Sequence, residues 1–133
     1  MQTRNFDWAM LLLRLGLGAF MIYGHGWGKF MRFFGEEAIS FRDPFGLGPE
    51  ITLGLVVFAE VACSLLLILG LFTRWATIPL IIAMSFAAFI AHAGDPFSQQ
   101  EKALMYLIGF IAILLLGAGR FSLDAWLARR RMV

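Results

Sequence analysis

The chain has 133 residues, of which 60% are hydrophobic and 15% are charged, and its formal net charge at pH 7 is +2. A mean hydropathy of +0.79 lies outside the usual range of water-soluble domains, so the bilayer is the expected solvent. The basic residues are scattered apart from the run 129–131, which indicates membrane orientation and argues against nucleic-acid binding. Cys63 is the only cysteine, which excludes an intrachain disulfide and a CxxC redox pair.

Four apolar stretches are long enough to span a membrane, which takes about 20 helical residues. We place the spans at about 7–34, 51–72, 74–92 and 102–118, within a single domain over residues 1–133. The first stretch is predicted to be a retained span and not a signal peptide, because it is too long and contains Arg14. The predicted fold is an all-α integral membrane protein, an antiparallel bundle of four transmembrane helices.

The span boundaries carry chemical signals. Pro49 and Glu50 suit the first turn of the second helix, where a missing N–H costs nothing and a carboxylate meets the positive end of the helix dipole. Ser98 and Glu101 form a capping-box pattern that predicts the start of the fourth helix. Gly70 precedes the turn that ends the second helix, and the short connection after it makes the second and third helices antiparallel neighbours.

The segments outside the spans predict the topology. The connection 35–48 is polar and rich in turn residues, and we expect it to fold back over the bundle mouth as a lid. Apolar and charged residues after Gly119 predict a short C-terminal amphipathic helix in the membrane interface. One membrane face receives Arg4, Arg74, Arg120 and Arg129–Arg131, and the other receives Lys29, Arg32, Arg42 and Lys102. The positive-inside rule then predicts that both termini are cytoplasmic.

Ionisable residues within the spans are the candidate functional residues, because each costs at least a few kcal/mol in hydrocarbon without a partner. Arg14, His25 and Lys29 share one stripe of the first helix, since the first two lie within about 20° of each other at 100° per residue. Glu60 falls near the middle of the second span. We predict an Arg14–Glu60 ion pair, in which the two charges offset each other's desolvation.

His92 and Tyr106 complete the predicted site. His92 ends the third span on the same side as His25 and Lys29, and Tyr106 lies about one turn inside the fourth span. These residues predict a polar pocket that opens outward, has Arg14 and Glu60 as its floor and has Phe and Met side chains as its walls. Plainer roles stay open for two of them: Lys29 extending to the headgroups, and His92 sitting at the interface.

Glycines form a second stripe on the first helix. Gly24 and Gly28 are four residues apart, as in a small-xxx-small packing face, and Gly16, Gly18 and Gly26 extend it. Such a face permits close approach of another backbone. The pattern fits packing within the bundle and fits a homodimer equally well.

These stretches together resemble the DoxX family of small four-helix bacterial membrane proteins, over nearly the whole chain. The matching stretches are Leu13-Arg14-Leu15-Gly16, Gly24-His25-Gly26 with Lys29, Ala59-Glu60, Leu69-Gly70-Leu71-Phe72-Thr73-Arg74, His92 and Gly117-Ala118-Gly119-Arg120-Phe121-Ser122-Leu123-Asp124. The resemblance implies a multi-pass protein of a prokaryotic cytoplasmic membrane. It also implies a link to thiosulfate:quinone oxidoreduction or to thiol and oxidative-stress balance, although most members have no assigned reaction.

The first functional hypothesis is a membrane component of an oxidoreductase system that binds a quinone-like or small sulfur-containing substrate. His25 and Glu60 are the candidate catalytic residues. His25 would exchange protons with a quinone oxygen, and Glu60 would orient Arg14 or relay protons. Arg14, Lys29, His92 and Tyr106 are the candidate substrate-binding residues. We expect no covalent cofactor, with a quinone as the candidate bound molecule, and no metal, because the two histidines lie on different helices without a cysteine cluster.

Two other hypotheses stay open. The same pocket could carry a small molecule or lipid without redox chemistry, or the protein could be a non-catalytic scaffold for partner proteins. The expected partners are membrane lipid, a soluble or membrane oxidoreductase subunit and a second copy of the chain, with no nucleic acid. Whether the protein is itself an enzyme does not follow from the sequence.

Overall fold

The computed structural model describes residues 2–132, and every regular element among them is helical. Four helices are long and apolar enough to cross a membrane: α1 (Thr3–Phe34), α2 (Pro49–Leu69), α3 (Thr73–Ala91) and α4 (Phe97–Leu116). The regular helix of α1 already begins at Gln2. A short helix, α5 (Leu123–Arg131), follows the fourth span. The predicted all-α membrane bundle is confirmed.

The four long helices pack as a closed ring, α1 against α2 and α4, and α3 against α2 and α4. Buried methionine, leucine and alanine side chains, with Phe110 among them, form the core between the helices. Large apolar side chains such as Tyr23, Trp75 and Leu12, which are 90%, 74% and 72% exposed, cover the outside. In a bundle of membrane-spanning length, this outer surface contacts lipid.

Three of the four spans contain a π-helical segment: Ile22–Gly26 in α1, Phe58–Cys63 in α2 and Ala87–Ala91 in α3. In such a turn an N–H donates to the carbonyl five residues earlier, as the His92 amide does to Ala87 at 3.0 Å. The wider turn redirects the side chains around it. π-Helical turns are frequent at functional sites, and these three lie in the helices that surround the ionisable side chains described below.

The glycines of α1 divide into two groups. A Cβ on Gly18 would meet Ile68 and the Ser64 carbonyl, and a Cβ on Gly26 would meet Val61 and Glu60, so these two glycines allow α1 to approach α2 closely. Gly16, Gly24 and Gly28 have nothing within 4 Å of an added Cβ. Packing within the bundle therefore uses Gly18 and Gly26, whereas Gly24 and Gly28 face open space.

Hydrogen bonds fix the end of the bundle where α1 begins and α4 ends, here called the terminal end. The Asp124 carboxylate accepts from the amides of Phe72 and Thr73 at 2.8 and 2.9 Å, and so caps α3. The Asp124 amide donates to the Gly70 carbonyl at 2.8 Å. On the first helix, the Asp7 carboxylate accepts from the Arg120 amide at 2.8 Å. The start of α5 is thus attached to the turn between α2 and α3.

The helix boundaries match some of the predicted signals and contradict one. Pro49 and Glu50 do occupy the first turn of α2, and Gly70 ends this helix with φ +69°. The capping box at Ser98 is wrong, because α4 begins at Phe97 after Pro96 and no side chain caps it. Ser98 lies inside the first turn, so α4 starts about five residues before the predicted span at residue 102.

The connection 35–48 lies at the opposite end of the bundle, here called the loop end. Asp43 accepts from the amides of Leu47 and Gly48 and from the Thr52 hydroxyl, at 2.7–3.0 Å. These bonds, the one from Gly48 foremost, hold the pKa of the Asp43 carboxyl below its usual value. Arg42 donates to the Ile90 carbonyl at 2.8 Å, which fastens the connection to α3.

This connection does not act as a lid on the ionisable residues. Its side chains Phe45 and Leu47 instead line an apolar groove of about 610 Å³ between α2 and α3. The fold-back predicted for residues 35–48 therefore occurs over the α2–α3 side of the bundle.

Candidate functional site

An ion pair between α1 and α2 lies at the centre of the site. The Lys29 ammonium lies 2.7 and 2.8 Å from the two carboxylate oxygens of Glu60. The Glu60 side chain is 1% exposed and that of Lys29 is 25% exposed. Gly26 brings the two backbones together, since a Cβ there would lie 3.1 Å from Glu60. Lys29, three residues further along α1, then reaches the carboxylate.

The pair faces a cavity of about 330 Å³ that reaches the loop end between α1, α3 and α4, here called the polar cavity. Its lining consists of His25, Lys29, Glu60, Met84, Ala87, His92, Ser98, Gln99, Lys102, Ala103 and Tyr106. The structure therefore brings together five of the six predicted site residues. This volume is at the lower end of the range found for small-molecule pockets, about 300–1,000 Å³.

Two aromatic side chains form one wall of the polar cavity. The rings of His25 and Tyr106 meet edge to face, with centroids 5.4 Å apart. Tyr106 also stacks on Phe110 at 6.0 Å, and Phe110 is fully buried. This packing limits the positions of the imidazole and the phenol in the wall of the polar cavity, which Lys29 and Glu60 also line.

His92 lies at the rim of the polar cavity. Its Nδ1 is 2.9 Å from a carboxylate oxygen of Asp95, and the side chain is 36% exposed. The Gln100 amide donates to the carbonyls of His92 and Ala88 and so satisfies the end of α3. His92 therefore joins the cavity to the aqueous edge of the membrane.

Arg14 lies elsewhere, and the predicted Arg14–Glu60 pair is wrong. The guanidinium is fully buried at the terminal end, where it donates to the backbone carbonyls of Leu67 and Phe121. Arg14 precedes Gly26 by twelve residues, or about 18 Å along the helix, so its side chain cannot reach Glu60. Lys29 takes the place predicted for Arg14.

The walls of the polar cavity also differ from the prediction. Among the residues that the structure describes, Met84 is the only methionine in the lining and no phenylalanine belongs to it, and the small side chains Ala87 and Ala103 leave space. Polar groups of α4 fill the remaining wall: Ser98, Gln99 and Lys102. The cavity is thus more polar than the expected aromatic pocket.

Lys102 is the residue that the sequence analysis missed. The sequence predicts it only as the first residue of the fourth span and as a cation of one membrane face, yet it lines the polar cavity. One signal could have identified it, because Lys102 and Tyr106 are four residues apart and share a helix face. Among the described residues, Lys29 and His92 have carboxylate partners within 4 Å, whereas Lys102 has none. The cavity therefore carries an unpaired positive charge.

The arrangement supplies three chemical capabilities. The Lys29 ammonium and the Lys102 ammonium can donate hydrogen bonds to an oxygen or an anion. Glu60 and His25 can accept or release protons. The aromatic wall can contact a planar ring.

The stretches that carried the family resemblance converge at two places in the fold. Gly26, Lys29, Glu60 and His92 meet at or beside the polar cavity. Arg14, Gly70 and the segment from Gly119 to Asp124 meet at the terminal end. Segments far apart in sequence thus form two compact clusters.

Comparisons with known proteins identify the family of the chain. The family model described as DoxX matches residues 9–93. A Haemophilus influenzae protein described as uncharacterized is 35% identical over 113 residues, which cover 80% of this chain and 81% of the relative. A second Haemophilus influenzae protein of the same description is 29% identical over 123 residues, or 87% of this chain and 81% of the relative. No solved structure matches. The chain is a member of the DoxX family of membrane proteins.

Proposed function

We propose that this protein is the quinone-binding membrane component of an oxidoreductase system, with the quinone ring held in the polar cavity. The observation that carries the proposal is the Lys29–Glu60 pair, which holds a proton donor and a carboxylate on one wall of a ring-sized cavity. An ionisable pair that faces an internal cavity in a membrane protein marks a substrate or proton pathway.

The roles of the side chains follow from their positions. Lys29 donates to one quinone oxygen, and the His25 imidazole lies on the α1 wall to exchange a proton with the other. Tyr106 packs against the ring face and positions His25 through their edge-to-face contact. Glu60 keeps Lys29 in place and passes protons toward it.

In this proposal the electrons come from two thiols of a partner oxidoreductase subunit. Conversion of one quinone to its quinol takes two electrons and two protons. Oxidation of two thiols to one disulfide in the partner subunit releases two electrons and two protons. Lys29 and His25 each give one proton to a quinone oxygen. Lys29 regains its proton through Glu60 and His25 regains its own from the loop end, past His92, so that the two protons taken up balance the two released by the thiols.

The proposal includes a location. The protein lies in the cytoplasmic membrane of a prokaryote with both termini in the cytoplasm, because the arginines at the terminal end outnumber the cations at the loop end. The polar cavity then opens to the outer side.

A small sulfur-containing anion is the second candidate ligand. The unpaired Lys102 ammonium supports it, since a cation without a carboxylate partner attracts anions. Thiosulfate is the simplest probe of this chemistry.

The test is a titration of the detergent-purified protein with a tail-less methoxy-substituted benzoquinone and, separately, with thiosulfate. His25→Phe keeps the edge-to-face ring and removes both nitrogens, so we expect about tenfold weaker benzoquinone binding, as for one lost hydrogen bond of about 1.4 kcal/mol. Lys102→Gln should weaken thiosulfate binding, and Arg32→Gln, which removes a loop-end cation outside the polar cavity, is its matched control.

The outcomes separate the three hypotheses. Benzoquinone binding that depends on His25 supports the quinone component, and thiosulfate binding that depends on Lys102 supports the sulfur ligand. Retention of some other small molecule or lipid without redox turnover favours a binding or transport protein. Absence of any ligand favours the scaffold and overturns the proposal.

A further inference from the structure

A second cavity adjoins the polar cavity on the outer surface of the bundle. It has a volume of about 320 Å³ and is lined by Phe20, Tyr23, Gly24, His25, Lys102 and Tyr106. Three of these residues, His25, Lys102 and Tyr106, also line the polar cavity. The two cavities therefore share one wall, formed by these three side chains.

The second cavity lies between α1 and α4, within the membrane-spanning part of the bundle. Its outer side chains face away from the core: Tyr23 is 90% exposed and Phe20 is 66% exposed. In a bilayer, the medium at this position is lipid. The larger groove between α2 and α3 shares no lining residue with the polar cavity and offers no comparable route.

We propose that this second cavity is a lateral portal, through which the apolar tail of the ligand extends from the polar cavity into the bilayer. The inference rests on the proposed function and names its substrate class: an amphiphile dissolved in the membrane, with a polar ring and a long hydrocarbon tail. A ligand that arrives from water needs only the opening beside His92. A side opening between two lipid-facing helices is what a lipid-dissolved ligand needs.

The passage runs along α1 beside the shared wall. The His25 and Tyr106 rings are in edge-to-face contact, with centroids 5.4 Å apart, and Gly24 leaves the space beside this contact free of a side chain. A Cβ on Gly24 would meet nothing within 4 Å. The space that this glycine leaves open is the space that the tail occupies.

Gly24 and Gly28 make a matched pair for the test. Both are exposed glycines of α1 with open space at an added Cβ, but only Gly24 lines the portal. Gly24→Trp and the smaller Gly24→Leu fill the portal to different degrees, and Gly28→Trp places the same bulk one turn away. Melting temperature and helix content of each purified variant establish that it is folded.

The measurement compares two probes that carry the same ring: a ubiquinone with its full isoprenoid tail, and the tail-less benzoquinone. The proposal predicts that Gly24→Trp weakens ubiquinone binding at least tenfold and changes benzoquinone binding less than twofold. Gly24→Leu should give an intermediate loss, and Gly28→Trp should bind both probes as the wild type does.

Each other result contradicts a specific claim. Equal ubiquinone binding by the wild type and Gly24→Trp overturns the portal and leaves the polar cavity as the binding site. Equal losses in Gly24→Trp and Gly28→Trp, with a change in oligomeric mass, overturn the portal in favour of a dimer contact along this glycine face. A wild-type protein that binds neither probe overturns the proposed function and the portal with it.

Discussion

Lys29 of α1 and Glu60 of α2 form a two-point ion pair, with the ammonium 2.7 and 2.8 Å from the two carboxylate oxygens. The Glu60 side chain is 1% exposed, so its carboxylate is shielded from water and contacts the Lys29 ammonium instead. Such a pair contributes little net stability compared with an apolar pair, but removing one member leaves a buried charge unpaired. The position of the pair beside the polar cavity therefore supports the proposed ligand site more than it accounts for stability.

The first prediction concerns this pair. Breaking a buried ion pair by removing one partner costs about 3–5 kcal/mol. Lys29→Met should destabilise the protein by an amount near the lower end of that range, because the lysine side chain is partly exposed. The double variant Lys29→Met, Glu60→Leu should recover most of that loss, since no charge is left unpaired. Thermal unfolding in detergent measures both. A double variant as unstable as the single one would contradict this account.

The second prediction concerns Arg14, whose guanidinium joins the carbonyl of Leu67 in α2 to that of Phe121 before α5. Arg14→Ala should cost about 1–3 kcal/mol, because the Phe121 carbonyl loses its side-chain donor, whereas the Leu67 carbonyl keeps the Gly70 amide as a donor at 3.1 Å. Hydrogen exchange at the Asp124 amide should accelerate as the start of α5 detaches. The exposed Arg4→Ala is the control and should change neither quantity.

Arg14 also distinguishes the structure from the sequence-based prediction. Because Arg14 does not line the polar cavity, folded Arg14→Ala should bind benzoquinone as tightly as the wild type. Loss of binding in a folded Arg14→Ala protein would restore the role predicted for it as the floor of the pocket.

The third prediction compares two glycines whose φ angles are nearly the same. Gly70 and Gly46 have φ of +69° and +70°, so alanine at either position bears the left-handed cost of about 1–2 kcal/mol. A Cβ on Gly70 would also clash with the Arg14 guanidinium and lie 2.5 Å from the Ser122 Cβ, whereas one on Gly46 meets nothing within 4 Å. Gly70→Ala should therefore cost about 1–3 kcal/mol more than Gly46→Ala. Equal losses in unfolding experiments would mean that Arg14 and Ser122 do not pack against this turn.

The fourth prediction is a pH dependence of the connection 35–48. Hydrogen bonds from Gly48, Leu47 and Thr52 lower the pKa of Asp43 in the folded protein. Its contribution to stability is complete above the ordinary carboxyl pKa and is lost as the pH falls through the lower, folded value. The ratio of the hydrogen-exchange rates of the Leu47 and Gly48 amides in the wild type to those in Asp43→Asn should show protection in the wild type. This protection should disappear only at pH values below about 4. A ratio that does not change with pH would contradict this role of Asp43.

The helices could be predicted from the sequence, but the partner of Glu60 could not. Helices depend on local properties of the chain, whereas that contact depends on how two helices pack. Span length, hydropathy and end signals such as Pro49 and Gly70 are local properties, and the fold follows from them. The partner of Glu60 depends on where α1 meets α2. Depths counted inward from the helix ends placed Arg14 beside Glu60, but α1 is 32 residues long and its contact with Glu60 is at Gly26.

The cavity itself was predictable only in part. His25, Lys29, His92 and Tyr106 stand at the same end of their spans, which the sequence indicates, and the structure brings them together around one space. Lys102 was missed because a lysine at a span boundary is ordinarily interpreted as an interfacial anchor. The π-helical turns that redirect the side chains have no sequence signal of the kind that proline or glycine gives to a helix end.

The most direct measurement of the central claim is native mass spectrometry of the protein in mild detergent with added ubiquinone. The wild type and the double variant Lys29→Met, Glu60→Leu are compared, because the paired substitution removes the ligand contacts without leaving an unpaired charge. The account predicts a retained quinone on the wild type and at least a tenfold smaller bound fraction on the equally folded double variant. Equal retention by the two proteins would contradict the claim that the Lys29–Glu60 pair holds the quinone.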